Sequence, residues 1–216
     1  MNEFARPTTW AVAVIAAVGW LVALYFWNES VGLRADGEEA LRRAEVAAGR
    51  LGEAGWSLQI GDGRVVRAAV AINCAGNYGD LVEAIARPSP FRIRPRKGQF
   101  VVFDKTAAKL ARPILLPVPN PRTKGVVVSQ TAFGNLIVGP TAEDQDERRL
   151  ATVEQDALAA LVAEGRRILP ALAHHQITAV YAGLRPASQH KDYQIEALPK
   201  QRWITVGGIR STGLTG

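Results

Sequence analysis

The chain has little of what most site chemistries require. Its one cysteine, Cys74, excludes an intrachain disulfide and any cysteine-rich metal site. Cys74 also sits in an apolar run, where a thiolate is disfavoured. The histidines are His174, His175 and His190, and no His-Glu-x-x-His spacing links any of them to a glutamate. A metal site is therefore not expected. There is no Gly-x-Ser-x-Gly elbow, which leaves nucleophilic catalysis with little support. No repeat of fixed period and no low-complexity tract is present.

What is there reads as globular. Apolar residues make up 48% and charged residues 21% of 216 positions, enough for one large domain or two small ones. A net charge of +6 and a pI near 9.8 permit contact with phosphates, nucleic acid or an anionic membrane without requiring it. Trp10 to Trp27 carries no charge and no polar helical face. Three readings fit it: a membrane helix with aromatic ends, a buried helix or strand, or a decayed nucleotide-binding turn. In the third reading the fingerprint glycines would fall at Ala16, Val18 and Leu21. The expectation carried forward is an apolar N-terminal helix that could associate with a membrane. Gly37 to Gly55 places Leu41, Ala44, Ala48 and Leu51 at helical spacing and predicts a connector helix.

From Trp56 the pattern alternates. Trp56–Ile60 and Arg64–Val70 flank a Gly61-Asp62-Gly63 turn, and Val70–Gly76 reads as a buried strand ending in small residues. Asn77 is placed to cap a helix over Tyr78–Ala86. The loop that follows carries Arg87, Arg92, Arg94, Arg96 and Lys97, either a solvated basic edge or an anion site. It lacks the interleaved aromatics of a nucleic-acid surface, and no nucleic-acid partner is expected. Gln99–Asp104 is a strand, and Gly125–Gln130 with Asn135–Gly139 is a hairpin. Thr152 with Gln155 makes a capping box for a helix that stops at Pro170. Ala179–Ser188 is a strand leading into a loop, and Tyr193–Ala197 pairs with Arg202–Val206.

Two features point to chemistry. Arg185 follows Gly183-Leu184 and precedes Pro186, so its backbone is fixed by its neighbours, and a planar guanidinium held this way suits a carboxylate or phosphate. The competing reading is a structural ion pair. His190, near Arg185 and Asp192 in sequence, is a candidate general base. The final stretch, Arg202 to Gly216, is a strand feeding a glycine-rich turn whose backbone N–H groups could face an electron-rich ligand.

Five segments now stand in series: Ala71–Gly76, Arg96–Phe100, Gly134–Asp144, Tyr181–Pro186 and Gly207–Thr215. In order and spacing they resemble FAD-dependent oxidoreductases of the D-amino-acid-oxidase superfamily, nearest the glycerol-3-phosphate dehydrogenase and L-2-hydroxyglutarate oxidase branch. The resemblance implies FAD as cofactor and hydride transfer from a small anionic hydroxy compound. It implies that Ala75 and Gly76 end the strand beside the cofactor. Gly208, Ile209, Arg210, Ser211, Thr212 and Gly213 would wrap the flavin, and Arg185 would hold the substrate's anionic end.

The implied fold is α+β, with an antiparallel substrate-domain sheet and an incomplete FAD/NAD(P)-binding-type domain behind the apolar helix. Residues 1–55 would be the apolar segment and connector helix, and 56–216 the oxidoreductase-like region. Within that region the substrate domain would cover about 90–200, with FAD-domain pieces at 56–87 and 202–216. No intact Gly-x-Gly-x-x-Gly turn precedes the Ala71–Gly76 strand, so the chain reads as a C-terminal part that binds FAD poorly alone. A cytoplasmic or cytoplasmic-membrane-associated location follows. The alternative is a membrane-anchored binding module, or a truncated remnant, without turnover.

Overall fold

The computed structural model describes residues 12–16, 46–118 and 125–210, the first stretch by its backbone alone. In chain order the strands and α-helices are β1 (Val12–Ala16), β2 (Val46–Gly52), β3 (Gly55–Ile60), β4 (Val65–Ala68), β5 (Val70–Cys74), α1 (Gly79–Ala86), β6 (Arg96–Phe103), β7 (Val127–Gln130), β8 (Leu136–Gly139), β9 (Glu143–Asp144), α2 (Gln155–Ile168), β10 (Ile177–Arg185), β11 (Gln194–Leu198) and β12 (Trp203–Gly207). They form two compact units: Pro95–Arg185, and the residues on either side of it.

The flanking unit holds a four-stranded sheet in the order β1-β5-β12-β11. β1 and β12 both run parallel to β5, whereas β11 runs antiparallel to β12. A second sheet, β2-β3-β4, is antiparallel throughout. Trp56, Leu58, Ala71, Ala75, Val82 and Trp203 form this unit's core, with the Trp56 and Trp203 rings 5.0 Å apart.

Two N-terminal expectations are corrected. Val12–Ala16, expected within an apolar helix, is a strand in register with β5 from Val12↔Val70 to Ala16↔Cys74. A parallel strand reads as a continuous apolar run, as a buried helix does, so hydropathy alone could not separate the two. The remainder of Trp10–Trp27 lies outside the described residues, among which no helix is long and apolar enough to cross a membrane. The expected connector helix is strand β2 over Val46–Gly52, and Gly37 to Glu45 lies outside the described residues. Helix propensity gives way here to pairing with β3. A Cβ on Gly49 would lie 2.7 Å from Ile85 Cγ2 and 2.9 Å from Leu58 Cδ2, so this strand needs a residue without a side chain where it meets α1.

The Pro95–Arg185 unit is an antiparallel sheet, β10-β6-β8-β7, with β9 also pairing β6. Alternation along β6 sets its two faces. Val101 and Phe103 join Val128, Leu136, Val138, Leu161 and Leu172 in a core against α2. The opposite face carries Arg96, Gly98 and Phe100, directly opposite Arg185, Gly183 and Tyr181. The expected hairpin is present, with Gln130 opposite Leu136. The expected capping box is not formed. The residue before α2 is Glu154, which has no side-chain cap, and its N–H donates to Gln99 Oε1 at 2.7 Å. Likewise α1 is preceded by Tyr78 with no side-chain cap, Asn77 lying in the 3-10 turn Gly76–Tyr78.

Candidate functional site

β1, β5 and β12 run parallel and in register, so their carboxyl ends form one edge. In parallel sheets ligands bind at that edge. The residues there are small: Ala16, Cys74-Ala75-Gly76 and Gly207-Gly208. Gly76 has φ +55° and Gly208 φ +68°, the left-handed region that favours glycine. A Cβ on Gly208 would also sit 3.2 Å from Ser188 Oγ.

Beneath this edge lies a fully buried carboxylate that sequence reading missed. Glu83 of α1 accepts from Asn73 Nδ2 (3.0 Å), Trp203 Nε1 (3.0 Å), Thr205 Oγ1 (2.8 Å) and Arg87 Nε (2.8 Å). Burial would push its carboxyl up, but donation by Asn73, Trp203, Arg87 and Thr205 outweighs that and holds it below the ordinary carboxylate range. Arg87 continues to Glu196 on β11 at 2.6 Å. Asn73 Oδ1 accepts from Ala75 N at 3.2 Å, which fixes the turn at the end of β5. The i, i+4 spacing of Glu83 and Arg87 was the one signal in the sequence.

Of the basic loop residues, Arg87, Arg96 and Lys97 are committed to carboxylates. Arg96 pairs with Asp144 through Nε (2.6 Å) and Nη2 (3.1 Å). Lys97 is buried between Glu154 and Glu143 on the α2 face of the sheet. Hydrogen bonding to Glu154, and then to Glu143, raises its pKa despite burial. Gln99, fully buried beside it, donates to Glu143 at 3.0 Å. The loop therefore does not assemble one anion site.

Arg185 differs. Its Nε donates to Arg96 O (3.3 Å), and its Nη2 donates to Lys97 O (3.3 Å) and Thr141 O (2.8 Å). These three carbonyls fix the plane of the guanidinium. Among the described residues no carboxylate pairs with it, and Nη1 has no partner. Burial lowers its pKa, Arg96 adds repulsion and Asp144 opposes both, yet a guanidinium remains a cation in proteins. Gly98 makes the seat possible, because a Cβ there would lie 3.2 Å from Arg185 Nη2 and 3.0 Å from Pro140 Cβ.

His190 and the closing turn belong to the other unit. His190 is exposed, and its Nε2 lies 3.2 Å from Pro90 O. Donation to that carbonyl leaves the lone pair on Nδ1. Arg210 turns its Nη2 to Ser188 O (3.2 Å) and His190 O (2.6 Å), tying the turn after β12 to the 188–190 loop. Ser211, Thr212 and Gly213 lie outside the described residues.

Residues 25–216 match the FAD dependent oxidoreductase (DAO) family. The chain belongs to this family. A glycerol 3-phosphate dehydrogenase of Caloramator mitchellensis is 34% identical over 145 residues, 67% of this chain and 30% of the relative. A glycerol 3-phosphate oxidase of Mycoplasma pneumoniae is 31% identical over 147 residues, 67% of this chain and 38% of the relative. The chain thus spans about a third of the length of these curated relatives. An L-alpha-glycerophosphate oxidase structure from Mycoplasma pneumoniae, with FAD bound, superposes at a TM-score of 0.70 and 26% identity, covering 79% of this chain and 46% of that one.

FAD is the cofactor of this DAO-family chain, and its described residues fit such a group. The parallel strands end in residues without bulk, and the two left-handed glycines turn the chain at the edge where a dinucleotide binds. At Ala75 the fit is steric only. Its N–H is taken by Asn73 and its carbonyl by Tyr78 N, so only the lack of a large side chain is on offer.

Proposed function

We propose that this chain provides the substrate-facing sheet and part of the FAD-binding framework of a dehydrogenase or oxidase. The substrate class is a small anionic hydroxy compound of the glycerol 3-phosphate type. On this reading the unit Pro95–Arg185 serves the substrate, and the parallel sheet, through Ala75, Gly76 and Gly208 to Gly213, serves the cofactor. Bound FAD supplies the hydride acceptor.

The observation that carries the reading is the Arg185 guanidinium, oriented by three carbonyls and paired with no described carboxylate. A half-buried guanidinium with no ion pair of its own, and with only the more distant Asp144 opposing its charge, is a cost that an anionic ligand offsets. Arg185 then binds and orients the anionic end.

The test is steady-state kinetics of the FAD-saturated protein with glycerol 3-phosphate and an artificial electron acceptor. Arg185→Ala is expected to raise KM about 10- to 100-fold, the loss of one charge-assisted pair. An unchanged KM overturns the assignment.

A further inference from the structure

On the open face of β6 and β10 two glycines lie directly opposite each other, Gly98 and Gly183. Arg96 and Arg185 flank them at one end, Phe100 and Tyr181 at the other. The Phe100 and Tyr181 rings stack with centroids 5.2 Å apart. Glycine in a strand interior weakens it, so each of the two calls for a physical reason.

Gly98 has one in the packing, since a Cβ there would crowd Pro140 Cβ (3.0 Å), Arg185 Nη2 (3.2 Å) and Thr141 O (3.3 Å). Gly183 has none. A Cβ there would meet no described atom within 4 Å, and its φ is not in the left-handed region. Neither contact nor backbone geometry requires glycine at this position. A glycine inside a strand marks a bulge, a bend or the close approach of a ligand or another backbone. The register shift of β10 lies at Ile177/Ala179 and no described atom sits over Gly183, which leaves a ligand. Its neighbours on the same face, Tyr181 and Arg185, each stand about 7 Å along the strand.

We infer that Gly183 sets the size of the substrate: the anion sits on Arg185 Nη1 and its short carbon body lies over the bare backbone of Gly183, with the Tyr181 ring closing the far side. The inference rests on Arg185 being the anion site. It adds that the substrate's body, rather than its charge, is measured at Gly183. Long or branched bodies are excluded by the stacked aromatic pair.

Calorimetric titration of the FAD-saturated protein with two probes separates the claims. Inorganic phosphate has the charge without the body, and glycerol 3-phosphate has both. Gly183→Val is expected to weaken glycerol 3-phosphate about tenfold or more, as overfilling a packed site does, and to leave phosphate within about twofold. Its melting temperature should be unchanged or higher, because a β-branched residue favours the strand. Gly183→Ala should show the same ordering with a smaller effect, and it serves if the valine variant does not fold. Equal weakening of both probes with a lower melting temperature would make Gly183 a structural glycine and overturn the inference. If both Gly183 variants bind as wild type while Arg185→Ala loses both probes, the size filter falls and the anion site stands. If Arg185→Ala also binds both probes as wild type, the anion site falls and the inference with it.

Discussion

Glu83, fully buried, and Arg185, half-buried, are ionised groups in different units, and their surroundings treat them oppositely. Glu83 is saturated by donors from Asn73, Trp203, Thr205 and Arg87, on two strands and at the residue that follows its own helix. Arg185 is held by backbone carbonyls alone and keeps one amino group open. A saturated charge binds the fold to itself, and nothing further can reach it. An oriented but unsaturated charge has its position fixed and its binding capacity intact. The same contrast recurs within the sheet, where Arg96 is neutralised by Asp144 and its cross-strand neighbour Arg185 is not.

The largest break in that comparison comes from Glu83→Ala. Removing one partner leaves Asn73, Trp203 and Thr205 donors buried and Arg87 with only Glu196. Urea unfolding should show a loss of about 3–5 kcal/mol. A loss below about 1 kcal/mol would mean that the carboxylate does not brace β5 and β12.

A smaller effect is expected from Gly98→Ala, which crowds the seat of Arg185 rather than removing the guanidinium. About 1–3 kcal/mol of overpacking should divide between stability and anion binding. Stability lost with binding intact would show that the guanidinium tolerates displacement.

The mildest test is a slope. The folded pKa of Glu83 lies below the ordinary 4.5, so its contribution is fully present above pH 4.5 and is lost as pH falls through the folded value. Glu83→Gln should therefore flatten the acid limb of a stability-against-pH curve and leave the rest of the curve parallel to wild type. An unchanged acid limb would assign it to other carboxylates, such as Asp104, which hydrogen bonds from Thr106 hold well below the ordinary range.

Much of the strand pattern could be read in advance, for physical reasons. Trp56–Ile60 alternates apolar and polar residues ahead of the Gly61-Asp62-Gly63 turn, and such a run leaves few other ways to bury one face. α1 ends where expected because Arg87 precedes Pro88 and is driven to extended backbone, with ψ 165°. β2 was not legible, since it lies within Gly37–Gly55, whose Ala, Glu and Arg content favours a helix, and only pairing with β3 overrules that. The cap of α2 is not legible locally, because Gln99, 55 residues upstream of Glu154, supplies the acceptor in place of Thr152.

The site follows the same division. Arg185 stood out locally, through its glycine and proline neighbours. The open state of its guanidinium depends on Gly98, Thr141 and the Arg96–Asp144 pair, which only cross-strand register brings together. The Glu83 system joins residues up to 122 positions apart and could not be read locally.

The most direct test of the contrast is to measure Arg185→Ala twice, by calorimetry with glycerol 3-phosphate and by urea unfolding. An open anion site predicts binding weakened more than about tenfold with unfolding free energy within about 1 kcal/mol of wild type. Equal losses of binding and stability, about 2 kcal/mol or more in each, would make Arg185 a structural residue like Glu83 and contradict the contrast.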